Sequence, residues 1–294
     1  MSLLCGGALC YGAAMPKFAQ ITDLHLRPPG VLTLGTVDAD QFVTDAVSAL
    51  VTRHGDVDAV LVTGDVADLG EEDAYSRAAM LLSRFSAPVF VMPGNHDRTA
   101  ALRDAFSAFP GVADAPVPHK VCYARSVGGV SVIALDTSMD GIESLSHGGE
   151  LGTEQLEWLD ATLAQTDEPA LIAMHHPPFA TGIGFMDEIG LGDAAAFSAV
   201  LAKHNHVRRV VCGHVHRVIM DTVGGVPALA IPGVAHQVEL GLVPGAPANM
   251  VMEPPAYGIH IFGEGRAISH VGYVDAFGAP AAFSDMAAVA EPAQ

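Results

Sequence analysis

Positive charge is scarce in this chain. Its 294 residues carry 14 Lys and Arg against 33 Asp and Glu, a formal net charge of −19. A surface of that sign repels phosphate backbones, which argues against polymeric DNA or RNA as a partner. Cysteine is scarce too. Cys5, Cys10, Cys122 and Cys212 show no C-x-x-C spacing and are too few for a disulfide scaffold. Cys212 sits in an apolar run and reads as a buried thiol. No stretch approaches the ~18 consecutive apolar residues that a membrane helix needs. The first fifteen residues are small and apolar, but no Lys or Arg precedes Lys17, so the basic region of a signal peptide is missing. We expect a cytoplasmic protein in which residues 1–15 form a flexible extension, with Met15 a candidate start. The Ala- and Pro-rich residues 279–294 read as a frayed tail.

Apolar residues, at 50%, and His, at 14, are plentiful, while only 16% of residues are charged. That balance excludes disorder and supports a large core. The apolar surplus also points to a buried interface, hence a homo-oligomer. So many imidazoles beside so few other bases invite a search for metal ligands.

The length suits one domain, and residues 16–278 read as a single unit without repeats or a linker. Short β-branched runs alternate with helical patterns. Strands are predicted at 17–21, 57–62, 88–92, 130–135, 170–174 and 208–212. Helices are predicted at 38–53, 71–85, 98–109, 153–164 and 194–203, with Thr153 as a cap. Shorter β runs follow at 228–231, 257–262 and 268–273. This alternation implies an α/β layered fold with a largely parallel interior, and the late β-only stretch a second sheet packed on the first. Residues 236–256 form a candidate cap or oligomer hairpin.

In open α/β sheets ligands sit beyond the carboxyl ends of strands. Five such ends carry ligand-type side chains: Asp23 and His25; Asp65 and Asp68; Asn95, His96 and Asp97; His175 and His176; His214 and His216. Each piece alone fits an ordinary turn, but their joint recurrence does not. Oxygen and imidazole donors without thiolate suit Mn, Fe, Co or Zn. On an extended segment residues i and i+2 point the same way, so Asp23 and His25 can share an ion. His214 and His216 can be split between two ions by their turn. Asp65 is placed to bridge, and Asn95 adds a neutral carbonyl.

Asp23-x-His25, Gly64-Asp65, Gly94-Asn95-His96-Asp97, His175-x-Pro177 and Gly213-His214-x-His216 together resemble the five-block pattern of the calcineurin-like metallophosphoesterases. The resemblance implies a four-layer α/β/β/α sandwich of two packed mixed sheets around two divalent metal ions. It assigns Asp23, His25, Asp65 and His216 to one ion and Asp65, Asn95, His175 and His214 to the other. His175 is preferred to His176 because the family motif has a proline two positions after the ligand. By the same resemblance His96 contacts the phosphate or protonates the leaving oxygen, and Asp97 orients His96. The expected reaction is in-line attack on phosphorus by a hydroxide that the two ions would activate, with no covalent enzyme intermediate.

Departures narrow the branch. Purple acid phosphatases need Tyr where this chain has Asp68. Protein serine/threonine phosphatases carry an Arg where Leu69 stands, and its loss argues for a diester over a dianionic monoester. The His175-His176-Pro177-Pro178 block, the Gly-rich loop 182–187 and the segment 232–238 resemble the class III cyclic-nucleotide phosphodiesterase and bacterial glycerophosphodiesterase branch. A small phosphodiester is therefore the expected substrate. His236 is a candidate substrate contact, and Phe185 and Met186 a candidate apolar wall. A monoester or phosphonate ester hydrolase and a non-catalytic scaffold of the same fold are the alternatives.

Overall fold

A computed structural model describes residues 15–139, 148–263, 265–276, 278 and 281–283. The expected extension, apart from Met15, and most of the expected tail lie outside these residues, as do Cys5 and Cys10. No helix among the described residues is long and apolar enough to cross a membrane.

Two sheets form the centre. The first orders its strands β13-β12-β1-β2-β3 and the second β4-β5-β6-β7-β9-β8. In the first, β1 (Lys17–Ile21), β2 (Ala59–Thr63) and β3 (Val89–Met92) run parallel. In the second, β5 (Val130–Ala134), β6 (Ala170–Ala173), β7 (Val207–Cys212) and β9 (Val226–Ala230) do the same. Their edges are antiparallel: β4 (Tyr123–Val127) on β5, and β8 (Ile219–Val223) on β9. The late β runs are divided, which corrects the expectation of a separate late sheet. Strands β12 (Ala256–Gly263) and β13 (Arg266–Tyr273) return to pair with β1, and β9 joins β7. A two-stranded ribbon, β10 (Gln237–Val238) with β11 (Met250–Val251), lies apart from both sheets.

Period-two alternation sets the layers. Along β5, Val130, Val132 and Ala134 pack into the core shared with the first sheet, and Ile133 packs into a second core. Leu171 and Ala173 of β6 follow the first pattern, Ala170 and Ile172 the second. Helices α4 (Thr153–Ala164) and α6 (Ala194–Leu201) cover that second core through Leu159, Leu163, Phe197 and Val200. On the other side α1 (Ala39–Arg53), α2 (Glu72–Leu82) and α3 (Thr99–Ala105) present Val43, Val47, Tyr75, Ala78 and Leu102 to the first sheet. The result is the four-layer α/β/β/α sandwich. A one-turn helix, α5 (Gly184–Glu188), lies in the Gly-rich loop.

Local chemistry corrects one helix start. Thr153 is the first helical residue rather than a cap, and Gly152 precedes it with φ 80° and no side-chain cap. The Asp193 carboxylate instead accepts from the N–H groups of Leu151 and Gly152, at 3.1 and 2.9 Å. Helix α1 keeps its expected start, with Asp38 accepting from Gln41 N–H at 3.1 Å. Cys122 and Cys212 are both free and buried.

Candidate metal centre

Parallel strands of both sheets end on one side, and their following loops carry the site. Asp23 and His25 follow β1, Asp65 follows β2 and Asn95 follows β3. His175 follows β6, and His214 and His216 follow β7. Five of these residues have left-handed backbones: Asp23 (φ 55°), His25 (46°), Asp65 (50°), His214 (69°) and His216 (48°). A non-glycine residue there is strained, and strain of this kind gathers at functional sites. The same observation corrects the reasoning for Asp-x-His. Asp23 and His25 are not extended; their left-handed turns, not strand periodicity, aim both at one place.

The donor atoms converge. His25 Nε2 lies 3.2 Å from His216 Nε2, which lies 3.1 Å from Asp23 Oδ1. Asp65 Oδ2 stands between two clusters, 3.6 Å from His25 Nε2 and 3.4 Å from His175 Nε2. Asn95 Oδ1 is 3.1 Å from His175 Nε2 and 2.9 Å from His214 Nδ1. His214 and His216 therefore face different clusters. The outward nitrogen of each imidazole is engaged with an oxygen. His25 Nδ1 bonds the Asp68 carboxylate, His175 Nδ1 the Thr63 carbonyl, His214 Nε2 the Ile189 carbonyl and His216 Nδ1 the His236 carbonyl. Such bonds fix the tautomer and turn a lone pair inward, the arrangement that metal-ligating histidines use. His176 differs: its Nδ1 shares a 2.7 Å hydrogen bond with Thr137 Oγ1, and its ring packs on His214 at 4.4 Å.

Charge points the same way. Asp23, His25, Asp65, His175, His214 and His216 are all buried. Burial pushes the Asp65 carboxyl up, yet His175, His96 and His25 outweigh it and hold it well below the usual carboxylate range. Burial lowers His175, but Asp65 and Asp23 lift it to about 9. Burial and the neighbouring His176 and His175 hold His214 well below the usual imidazole value. Two buried carboxylates draw positive charge to this point, a proton on His175 included, and a divalent ion can take that proton's place, so the residues present fit a divalent metal centre.

Glycines make the convergence possible. A Cβ on Gly94 would lie 2.2 Å from Asp65 Oδ1, and one on Gly64 would lie 2.4 Å from His175 Nδ1.

The remaining expected residues fall as follows. His96 lines the pocket, and its Nδ1 bonds the Asp68 carbonyl at 2.7 Å. The hydrogen bonds of Asp97 run to loop N–H groups: Val66 at 3.1 Å, Ala67 at 2.9 Å and Gly94 at 2.8 Å. Burial, with Asp65 nearby, raises the Asp97 carboxyl to about 7. Asp97 thus fastens the Asp65 loop to the Asn95 loop, and the oxygen set against His96 is that of Asp68. His236 is buried, with its ring centroid 4.9 Å from that of His25 and 4.8 Å from that of His216. Burial, with His25 and His216 beside it, lowers His236 to about 3. Sequence reasoning missed the orienting role of Asp68, although its place three residues after Asp65 was the available signal.

A layered α/β frame with this donor set defines a metal-dependent hydrolase. The calcineurin-like phosphoesterase model matches residues 16–218, and the chain belongs to that family, which uses a metal centre. It is similar to a probable cyclic nucleotide phosphodiesterase of Rhodopseudomonas palustris, 34% identical over 82% of this chain and 86% of that protein. A probable glycerophosphodiester phosphodiesterase of Arcobacter nitrofigilis is 30% identical over 90% of this chain and 95% of the relative. The 3′,5′-cyclic adenosine monophosphate phosphodiesterase CpdA of Escherichia coli is 30% identical over 77% and 78%. A dimetal phosphatase from Danio rerio shares the fold, with a TM-score of 0.60 at 19% identity over 87% of this chain and 99% of the other.

Proposed function

We propose that the chain hydrolyses a small phosphodiester, with a cyclic nucleotide as the substrate class, at a centre of two divalent ions. The observation that carries this reading is the pocket itself. A cavity of about 320 Å³ has the donor cluster as its floor and Leu34, Phe185, Met186, Ile189, Val238 and Met250 among its walls. A phosphoryl group belongs on the floor and a flat apolar group against the walls. Three relatives are named for diesters, two of them for cyclic nucleotides.

Asp23, His25, Asp65 and His216 would hold one ion, and Asp65, Asn95, His175 and His214 the other. When bound, such ions lower the pKa of water and offset phosphoryl charge. The chain's own residues supply the rest. The ring of His96 is clamped at Nδ1, so a proton passed to the leaving oxygen departs from Nε2. His236, held neutral, offers its ring as a side to the same pocket. Pocket walls exclude water from the developing charge. Exposed Leu240, Leu242, Val243 and Met252, in and beside the β10–β11 ribbon, provide the surface for the homo-oligomer.

Stripping the protein with a chelator and reloading it with Mn, Fe, Co or Zn tests the reading. Hydrolysis of 3′,5′-cyclic AMP, a glycerophosphodiester and bis(p-nitrophenyl) phosphate is then compared. Activity should return with about two ions per chain and the highest kcat/KM should fall to the cyclic nucleotide. No diester hydrolysis with any metal would defeat the proposal; a preference for glycerophosphodiester would defeat its substrate class.

A further inference from the structure

Backbone strain outside the donor set singles out one side chain. Leu34, in the connection between β1 and α1, has φ 51°. Every other non-glycine residue with a left-handed backbone among the described residues is Asp or His. Those types visit this region more readily than a branched aliphatic residue does. The turn accounts for the angle but not for the leucine. Thr36 N–H donates to the Thr33 carbonyl at 3.1 Å, and Gly35 follows Leu34 with φ 71°. Two central residues at positive φ make the type I′ pattern, whose first central position favours Asn, Asp or Gly. At Gly30 and Gly35 the same loop does use glycine at left-handed positions, although an added Cβ would meet nothing within 4 Å. At position 34 the backbone favours the same choice, and a leucine stands there instead.

Core packing does not explain it either. Leu34 is 57% exposed, whereas Thr33 and Val37, which flank the turn, are buried. What the leucine does border is the metal pocket. Phe185, Met186 and Ile189 reach that pocket from α5 and the residue after it, and Val238 and Met250 from the ribbon. The other described lining residues that first-sheet loops carry are His25, Asp65, Asp68, Asn95 and His96, all polar. Leu34 therefore supplies the apolar contact on the first-sheet side. Its place relative to the donors is fixed. Thr33 and Val37 exchange N–H to carbonyl bonds of 2.9 Å in both directions, and Thr33 Oγ1 donates to the His25 carbonyl at 2.6 Å. An outlier that neither local preference nor burial accounts for, at the rim of a reactive pocket, points to a role in the ligand's recognition.

We propose that Leu34 is a specificity-determining residue, held at the metal pocket by a strained turn so that it packs on the nucleoside of the substrate. This inference rests on the cyclic-nucleotide reading above. A bare phosphoryl group on the donor floor gains nothing from Leu34. A phosphoryl group that carries a nucleoside is gripped by apolar side chains from loops of both sheets.

Calorimetric titration of the manganese-loaded protein with adenosine 5′-monophosphate and, separately, inorganic phosphate tests the proposal, with melting temperature measured alongside. The parent should bind the nucleotide more tightly than phosphate. In Leu34→Asn the nucleotide should weaken about five- to tenfold, and phosphate by less than about twofold. The melting temperature should hold or rise, because Asn suits the first central position of the turn. Leu34→Gly should behave in the same way. Leu34→Met, which keeps an apolar side chain of similar volume, should keep most of the preference for the nucleotide. A parent that does not prefer the nucleotide overturns the substrate class and this proposal together. A preference that survives in folded Leu34→Asn and Leu34→Gly overturns the role of Leu34 alone. So does equal weakening of both ligands with a fall in melting temperature, the mark of a merely structural residue.

Discussion

Asp68 is the residue through which the two halves of the chemistry meet. Its carboxylate bonds His25 Nδ1 at 3.1 Å, and its carbonyl holds His96 Nδ1. Arg27 Nη1 lies 3.5 Å from the other carboxylate oxygen, and Arg27 Nε donates to Glu71 at 2.8 Å. Asp68→Ala should therefore weaken metal binding about 10- to 100-fold, as loss of an orienting partner does. Metal titration followed by calorimetry measures it; affinity equal to the parent would remove Asp68 from that role. His96→Ala should behave differently. It should lower kcat about 10²- to 10⁴-fold while metal content by elemental analysis stays near that of the parent. Parallel loss of metal and rate would make His96 a structural residue of the centre.

The ligand types themselves were legible in the sequence, because Asp, Asn and His recur at the strand ends and suit a borderline dication. Their geometry was not. No sequence pattern announces that Asp23 and His25 are left-handed, since those angles depend on the β2 and β7 loops packed against them. The same contrast holds for the chain's elements. Strands β1, β2, β3, β6 and β7 are short, largely apolar and largely buried runs, and they stood out. Strand β4 did not, because Tyr-Ala-Arg-Ser-Val is an edge with mixed burial. The two-residue strands β10 and β11 are too short for any periodicity to show. Helix α3 ends at Ala105 rather than 109, where Phe106 turns into the core and meets Phe109 edge to face, with ring centroids 5.0 Å apart. Tertiary contact overrode local propensity there.

The ribbon matters at this scale because it brings Met250 to the pocket. Arg217, next to His216, fixes it by bonding the Val238 carbonyl and Glu253. Met250→Ala should raise KM for cyclic AMP about 5-fold, the loss of roughly 1 kcal/mol of apolar contact, with kcat for bis(p-nitrophenyl) phosphate little changed. Steady-state kinetics on both substrates distinguishes this from a general loss of activity.

For the whole molecule, the seam between the sheets holds a titratable group remote from the metal centre. His260 is fully buried on β12, bonded to Ser269 Oγ at 2.8 Å and Gln20 Oε1 at 3.1 Å. Gln20 in turn donates to Thr63 and to the Cys212 carbonyl, so the network crosses from the first sheet to the second. Burial, with Arg209 and His270 adding to it, depresses His260 to about 3. The unfolded chain binds a proton there near the ordinary imidazole value, and the folded chain does not. Stability from this group is complete above about pH 6.5 and is lost as pH falls toward 3. The slope is at most about 1.4 kcal/mol per pH unit. His260→Gln should flatten the dependence of Tm on pH between about 6.5 and 4. An unchanged slope would show that His260 is not its source.

The donors span positions 23 to 216 and are delivered by both sheets. No local hairpin or single βαβ unit can assemble even half of the cluster. Chain segments separated by nearly two hundred positions must dock before His216 meets His25, an ordering that carries a high loop-closure cost. Turnover in a renaturing chain therefore cannot precede the docking of the two sheets.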